Sequence, residues 1–200
     1  MDENGVLEAA IAFHGHKCWA MPAGLRAGLA ALRALGVERS AAKKLHAIVE
    51  LGNYHGAACF GDGVQMATGC TFGKGNISKA GYGKLAVTLI DKQRNRAVRV
   101  AFKPVLMPQI KDSAFMRKRA AGVPPTEIPD EDAQAVIDLV WNAPEGDVLS
   151  VGQPFDYAWS EPAEVVRFVT CEQCGELVAE PYARLAEGKT LCVPCYGHPG

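Results

Sequence analysis

Two groups of residues could do chemistry in this chain of 200 residues. The first is His14, His16 and Cys18, packed into five positions at the start of "FHGHKCWAMPAGLRAGLAAL" (13–32). Imidazole nitrogens and thiolates are borderline or soft donors that suit transition metals, and a thiol that has lost its proton is also a nucleophile. The stretch after Cys18 reads as a helix. If Cys18 stands at its N-terminus, unpaired amides and the positive end of the helix dipole favour the thiolate. Pro22 lacks an N–H and is expected to push the start of that helix later. Metal ligand and nucleophile both remain open for Cys18.

The second group is Cys171-x2-Cys174 and Cys192-x2-Cys195, with seventeen residues between the pairs. Each C-x2-C folds as a tight knuckle that aims two thiolates at one ion, and a hairpin between the knuckles brings the pairs together. Gly175 suits a turn of positive φ after the first knuckle, and "AEGK" (186–189) supplies the hairpin tip. About 30 residues with few large apolar side chains cannot bury enough surface to fold alone, so metal binding must supply folding free energy of about 10 kcal/mol. Four cysteine ligands leave no position for water, which makes this zinc structural.

Several elements must position these groups. Val6, Leu7, Ala10 and Ile11 give a short amphipathic helix over 6–13, broken at Gly15. Leu25, Leu29, Leu32 and Leu35 recur at helical spacing from about Cys18 or Trp19 onward, and Gly36 supplies the stop. "LHAIVELG" (45–52) reads as a strand. The next 24 residues hold six glycines, which implies turns around at most one short helix capped by Asp62. Residues 84–102 read as two strands joined by a turn at Asp91 to Asn95. Helices are expected near Gln109–Ala121 and over Glu131–Asn142, the latter with Asp130 as N-cap and Pro144 beyond its end. "DVLSV" (147–151) and "EVVRFV" (164–169) add strands. Without a βαβ rhythm, these elements predict an α+β fold: mixed helices packed on a mainly antiparallel sheet over residues 1–165, then a small zinc-finger domain over 166–200.

The glycine-rich segment is not a phosphate loop. That motif needs G-x4-G-K-[ST], yet Thr68 stands five residues before Gly73, and Gly75 follows Lys74 where a hydroxyl should bind magnesium. A turn lined by backbone N–H groups and Lys74, with Cys59, Asp62 and Cys70 nearby, is the better reading. Cys70 reads equally as a buried packing residue.

In combination these motifs resemble the formylmethanofuran dehydrogenase E-subunit family. Its F-H-G-H-x-C opening, followed by a glycine and an arginine on the next helix, is matched by Phe13 to Cys18, Gly24 and Arg26. A second block is matched by Cys59, Asp62, Gln65 and "TGCTFGKGN" (68–76), and a third by Gly83-Lys84. The resemblance covers about residues 5–105. One departure is that the family usually carries proline and glycine after the first cysteine, where this chain has Trp19 and Ala20, which alters the helix entry and narrows or covers the pocket. The terminal stretch resembles the four-cysteine zinc finger of the DksA/TraR family over about 25 residues, and some members of the first family carry such a finger.

The resemblance implies a core site in which His14, His16, Cys18 and Cys59 hold a second transition metal, or Cys18 and His16 act through a thiol, with Asp62 as orienting group or base. Arg26, Lys74 and Lys84 would neutralise an anionic small molecule. The family name implies partnership with molybdenum or tungsten oxidoreductase subunits that act on one-carbon groups. An alternative is a regulatory protein whose finger docks on a partner while its core senses a metabolite or metal. Self-association as a homodimer is a further expectation. The chain shows no cysteine cluster suited to an iron–sulfur centre apart from the finger, so redox chemistry from it alone is not expected.

Charge and hydropathy narrow the field. A net charge of −1 gives no global field for nucleic acid or an anionic membrane. No window reaches the roughly 18 to 20 apolar residues that span a bilayer, the N-terminus is acidic where a signal peptide would be basic, and seven cysteines form an odd count. These features predict a cytoplasmic protein with thiols and metal ligands in place of disulfides.

Overall fold

The helix at Ala20–Leu35 (α2) is the axis around which the larger unit is built. Its sequence is almost wholly small or apolar, so most of its surface can be buried, and Met21 and Leu25 are fully enclosed. It begins at Ala20 despite Pro22, because the first turn of a helix has no use for that N–H. It ends as expected at Gly36, whose φ of +62° lets its N–H reach the Arg33 and Leu32 carbonyls. The computed structural model describes residues 3–53, 57–161 and 167–197. It divides into two units, Met1–Trp159 and Ser160–Gly200.

In the first unit, α1 (Glu3–His14) precedes α2. Then follow β1 (Leu45–Val49), α3 (Cys59–Thr68), β2 (Ile77–Lys79), β3 (Ala86–Asp91) and β4 (Arg96–Phe102). After these come α4 (Met107–Lys111), α5 (Ala114–Ala120), α6 (Asp130–Trp141), α7 (Glu145–Val148), β5 (Leu149–Val151) and β6 (Phe155–Asp156). The sheet runs β2-β1-β3-β4-β5, with β6 also on β4. All pairings are antiparallel except β1 with β2. The fold is therefore α+β with a mainly antiparallel sheet. Asp91 closes the β3–β4 turn by accepting the Gln93 and Arg94 N–H groups at 3.0 and 3.3 Å.

Several expectations are corrected. The glycine-rich segment holds the short helix α3, as expected, but leads into β2, which pairs parallel with β1, so one parallel crossover does exist; three residues of β2 are too few to show a period. Asp62 is not a cap but lies in the first turn of α3, after Ala58. Residues 109–121 form two short helices, not one, because the Ser113 hydroxyl accepts the Met116 N–H at 3.1 Å and starts a new helix. Asp130 is likewise in the first turn of α6 and not its cap, which is Pro129. Of residues 147–151, only Leu149–Val151 is strand. The expected strand at 164–169 falls partly on residues outside those described, and strand begins at Phe168. Among the described residues no helix is long and apolar enough to cross a membrane.

The contact between α2 and α3 is the closest in the unit. A Cβ on Gly24 would sit 1.9 Å from the Phe60 carbonyl oxygen, and one on Gly63 would sit 2.1 Å from that of Met21. The two helices thus meet backbone to backbone, with Phe60, Met21 and Leu25 sealed at the seam.

The second unit consists of two hairpins and a short helix: β7 (Phe168–Thr170) with β8 (Leu177–Ala179), β9 (Arg184–Ala186) with β10 (Lys189–Leu191), and α8 (Val193–Tyr196). Glu187 and Gly188, at φ +50° and +77°, form the hairpin tip read from the sequence. Among the described residues its buried apolar cluster is Cys171, Leu191 and Cys192, with Val178, Ala186 and Cys195 packed beside it.

The helix seam generates a stability prediction. Gly24→Ala should cost about 3 kcal/mol or more in urea unfolding, because backbone must move to admit the methyl. Gly73→Ala, whose Cβ meets nothing within 4 Å, should stay within about 0.5 kcal/mol of the parent. Equal stability of the two variants would show that the seam tolerates separation.

Candidate metal centre

Three chain segments converge at the N-terminal ends of α2 and α3. His14 is the last residue of α1. Gly15, at φ +87°, reverses the chain there, so that His16 returns over His14 with ring centroids 4.2 Å apart. Cys18 lies two residues before α2, and Cys59 is the first residue of α3. The metal-ligating atoms of His14, His16, Cys18 and Cys59 all lie within 4.8 Å of one another.

The geometry within this cluster suits a metal. Bond lengths of about 2.1 Å to nitrogen and 2.3 Å to sulfur give tetrahedral edges of roughly 3.4 Å for N···N and 3.6 Å for N···S. The His14 Nε2 to His16 Nε2 distance is 3.2 Å, and that from His14 Nε2 to Cys18 Sγ is 3.7 Å. His14 Nδ1 donates to Asp62 Oδ2 at 2.8 Å, and Asp62 Oδ1 accepts from Gln65 Nε2 at 3.1 Å. Asp62 thus fixes the His14 ring and directs Nε2 into the cluster, the arrangement that orients metal-bound imidazoles. With both oxygens engaged, Asp62 acts through His14.

The charges are complementary. Asp62, helped by Cys59, raises the His14 pKa from 6.5 to about 9 against the effect of burial. Burial lowers that of His16, and the His14 charge lowers it further. The Cys59 thiol is held well below its ordinary range by its hydrogen bond with Cys18 and by the two imidazoles. Cys18 is pushed up by that same bond and by burial, although the Met21 and Ala20 N–H groups oppose the rise. The helix amides therefore do face Cys18 as expected, but the readily formed thiolate is Cys59.

His16, Cys18 and Cys59 open onto a cleft of about 660 Å³, whose wall includes Trp19, Leu85 and Phe115. Trp19, the departure at the helix entry, is thus a wall of this cleft and packs against Phe102 with the rings tilted at 44° and their centroids 5.8 Å apart. The other cations singled out in the sequence are engaged elsewhere. Arg26 donates to the Val140 carbonyl beside a small cavity with Arg33 and Trp141. Lys74 donates to the Gly69 and Ala41 carbonyls. Lys84 lines a neighbouring depression that shares Leu85 and Met107 with the cleft. Cys70 is fully buried in the core. The cation that does line the cleft is Arg119, which sequence reasoning missed. Its only signal was the basic run Arg117-Lys118-Arg119 in a short helix.

The second cluster comprises Cys171, Cys174, Cys192 and Cys195, whose sulfurs also lie within 4.8 Å of one another. Cys174 and Cys192 are 3.9 Å apart, close to the roughly 3.8 Å edge of a zinc tetrathiolate. Gly175, at φ +77°, turns the first knuckle, and the Cys192 N–H donates to Cys171 Sγ at 3.3 Å. Such amides, those of Cys174 and Cys192 first, lower the Cys171 pKa to about 6. This cluster fits a structural zinc.

Comparison with known proteins agrees with this division. The family described as FmdE, molybdenum formylmethanofuran dehydrogenase operon, matches residues 13–150. The prokaryotic dksA/traR C4-type zinc finger matches residues 167–197. A relative from Archaeoglobus fulgidus, named a probable S-adenosyl-L-methionine-binding protein, is 29% identical over 195 residues, which cover 92% of this chain and 50% of that one. The chain thus spans half the length of that curated relative. The crystal structure of a tungsten formylmethanofuran dehydrogenase FmdE-like protein from Syntrophus aciditrophicus superposes with a TM-score of 0.61 at 24% identity, covering 97% of this chain and 91% of the other. At that identity it supports the fold alone.

The Asp62–His14 pair yields a pH signature. Because the folded value of about 9 exceeds the ordinary 6.5, protonated His14 stabilises the chelator-treated protein fully below pH 6.5, and this contribution is lost as pH rises through 9. Asp62→Asn should lower the imidazole pKa read by NMR by about one unit or more and weaken core metal affinity about 10- to 100-fold. An unchanged titration would show that Asp62 does not set the ring.

Proposed function

The chain belongs to the FmdE family, and on that premise we propose that its core is a metal-dependent small-molecule site, with the terminal zinc finger as a structural module. One observation carries this reading: two imidazoles and two thiols converge within 4.8 Å, and three of them, His16, Cys18 and Cys59, line a cleft. His14, His16, Cys18 and Cys59 would hold the ion, and Asp62 would orient His14. A metal held there would supply Lewis acidity toward a donor atom entering from the cleft, taken up as a fifth ligand or in place of one of the four. The chain's own residues do the rest. Cys18 is anchored by the amides of α2, Cys59 supplies the readily formed thiolate, and Trp19, Leu85 and Phe115 exclude water from the bound molecule. The name of the Archaeoglobus fulgidus relative supports a small-molecule ligand. The family's association supports a role accessory to a molybdenum or tungsten one-carbon oxidoreductase.

A second reading, a finger that docks on such a partner, is favoured by the exposed Phe168, Leu177 and Leu185. Replacing Leu177 and Leu185 by Asp should then abolish co-purification with the oxidoreductase subunits while leaving metal content unchanged.

Elemental analysis tests the main reading. The purified protein should hold about two metal equivalents per chain, one in each cluster. Cys18→Ser should lose the core metal and keep the finger's zinc, whereas Cys171→Ser should do the reverse and unfold the terminal unit. A single equivalent per chain in both the parent and Cys18→Ser would refute the core metal site.

A further inference from the structure

The cleft beside the cluster has an asymmetric lining. Trp19, Leu85, Met107, Phe115 and Met116 present aromatic and aliphatic surface, and Arg119 is the only cation among the described lining residues. No carboxylate is found among those described lining residues. Within Arg117-Lys118-Arg119 the three cations have different fates. Arg117 donates to the Asp112 carbonyl, and Lys118 pairs with Asp132. Arg119 makes one hydrogen bond, to the Val123 carbonyl, and forms no ion pair among the described residues. A guanidinium carries five N–H donors in a planar fork, so most of this capacity stays available at the cleft wall.

We propose that Arg119 is the specificity-determining residue of the cleft and that the ligand is a small molecule with an apolar body and a single carboxylate, which the Arg119 guanidinium receives. The inference rests on the reading of this cleft as the small-molecule site and names the class of molecule it admits. The volume of about 660 Å³ lies in the range of ligand pockets and leaves room for a ring and a short chain. Met107 and Met116 adapt to the shape of an apolar body. The planar fork matches a carboxylate in two parallel hydrogen bonds, and Arg119 is exposed, so an entering carboxylate can reach it. A phosphate monoester carries nearly two charges and three acceptor oxygens, more than one guanidinium satisfies. Lys118, on the same short helix as Arg119, is held by Asp132 of α6, and Arg117 by the Asp112 carbonyl, which leaves that helix one cation to offer.

Calorimetric titration of the full metal-loaded chain with 4-phenylbutyrate, its neutral amide and phenyl phosphate tests the proposal, with metal content measured on each sample. The acid should bind at least about tenfold more tightly than either comparator. Arg119→Gln should abolish that preference and leave amide binding and metal content unchanged, while Arg119→Lys keeps part of it, as a single point charge does. Equal binding of acid and amide, tighter binding of the phosphate, no binding of any probe, or an unaltered preference in Arg119→Gln would each overturn the proposal. Acid preference that depends on Arg119 in a protein lacking core metal would support this proposal and refute the metal reading alone.

Discussion

The site depends on one steric constraint, the absence of side chains where α2 crosses α3. Gly24 and Gly63 let the Phe60 and Met21 carbonyls approach to distances that a methyl group would forbid. Since both helices begin at the same end of this seam, their closeness places Cys59, the first residue of α3, beside Cys18, just before α2. Cys59 is far in sequence from the His14 to Cys18 group, and helix packing brings them together. The left-handed turn at Gly15 then adds the two histidines from the end of α1. Rigid helix ends are better supports for a small constellation than free loops, because a shift of one helix moves all of its ligands together.

The electrostatics follow from that placement. Four groups that would each be ordinary alone share a partly buried space, and the arrangement favours thiolate on Cys59 and charge on His14. Asp62, with Gln65 behind it, balances the imidazole from the side away from the thiols. Opposite charges are thus assembled before any ion arrives; an ion would find the Cys59 thiolate readily formed and would have to displace the more tightly held protons of His14 and Cys18. The terminal unit solves the same problem with less structure. Its core is little more than Cys171, Leu191 and Cys192, so the ligands and the core are nearly the same atoms.

Much of this was legible in the sequence wherever the cause is local. The period of leucines and Gly36 define α2, the polar residues between two β-branched runs define the β3–β4 turn, and the cysteine spacing defines the finger. His14, His16, Cys18, Cys59 and Asp62 were identified together only through the family resemblance, because their proximity is set by a contact between helices some forty residues apart. Asp62 and Asp130 were misread as caps, since an acidic residue in a first turn gives the same local signal as one just before it. Arg119 was missed because its availability depends on where Lys118 and Arg117 are spent, and tertiary neighbours decide that. Lys74 and Arg26 were singled out by motif, yet backbone carbonyls hold both.

Trp19 stands directly after Cys18, where the family resemblance leads one to expect a proline, and in the wall of the cleft. An indole is the strongest intrinsic fluorophore among side chains, and its emission shifts with the polarity and quenching of its surroundings. With this ring the chain carries an optical gauge of its own cavity, once the emission of Trp141 and Trp159 is set apart.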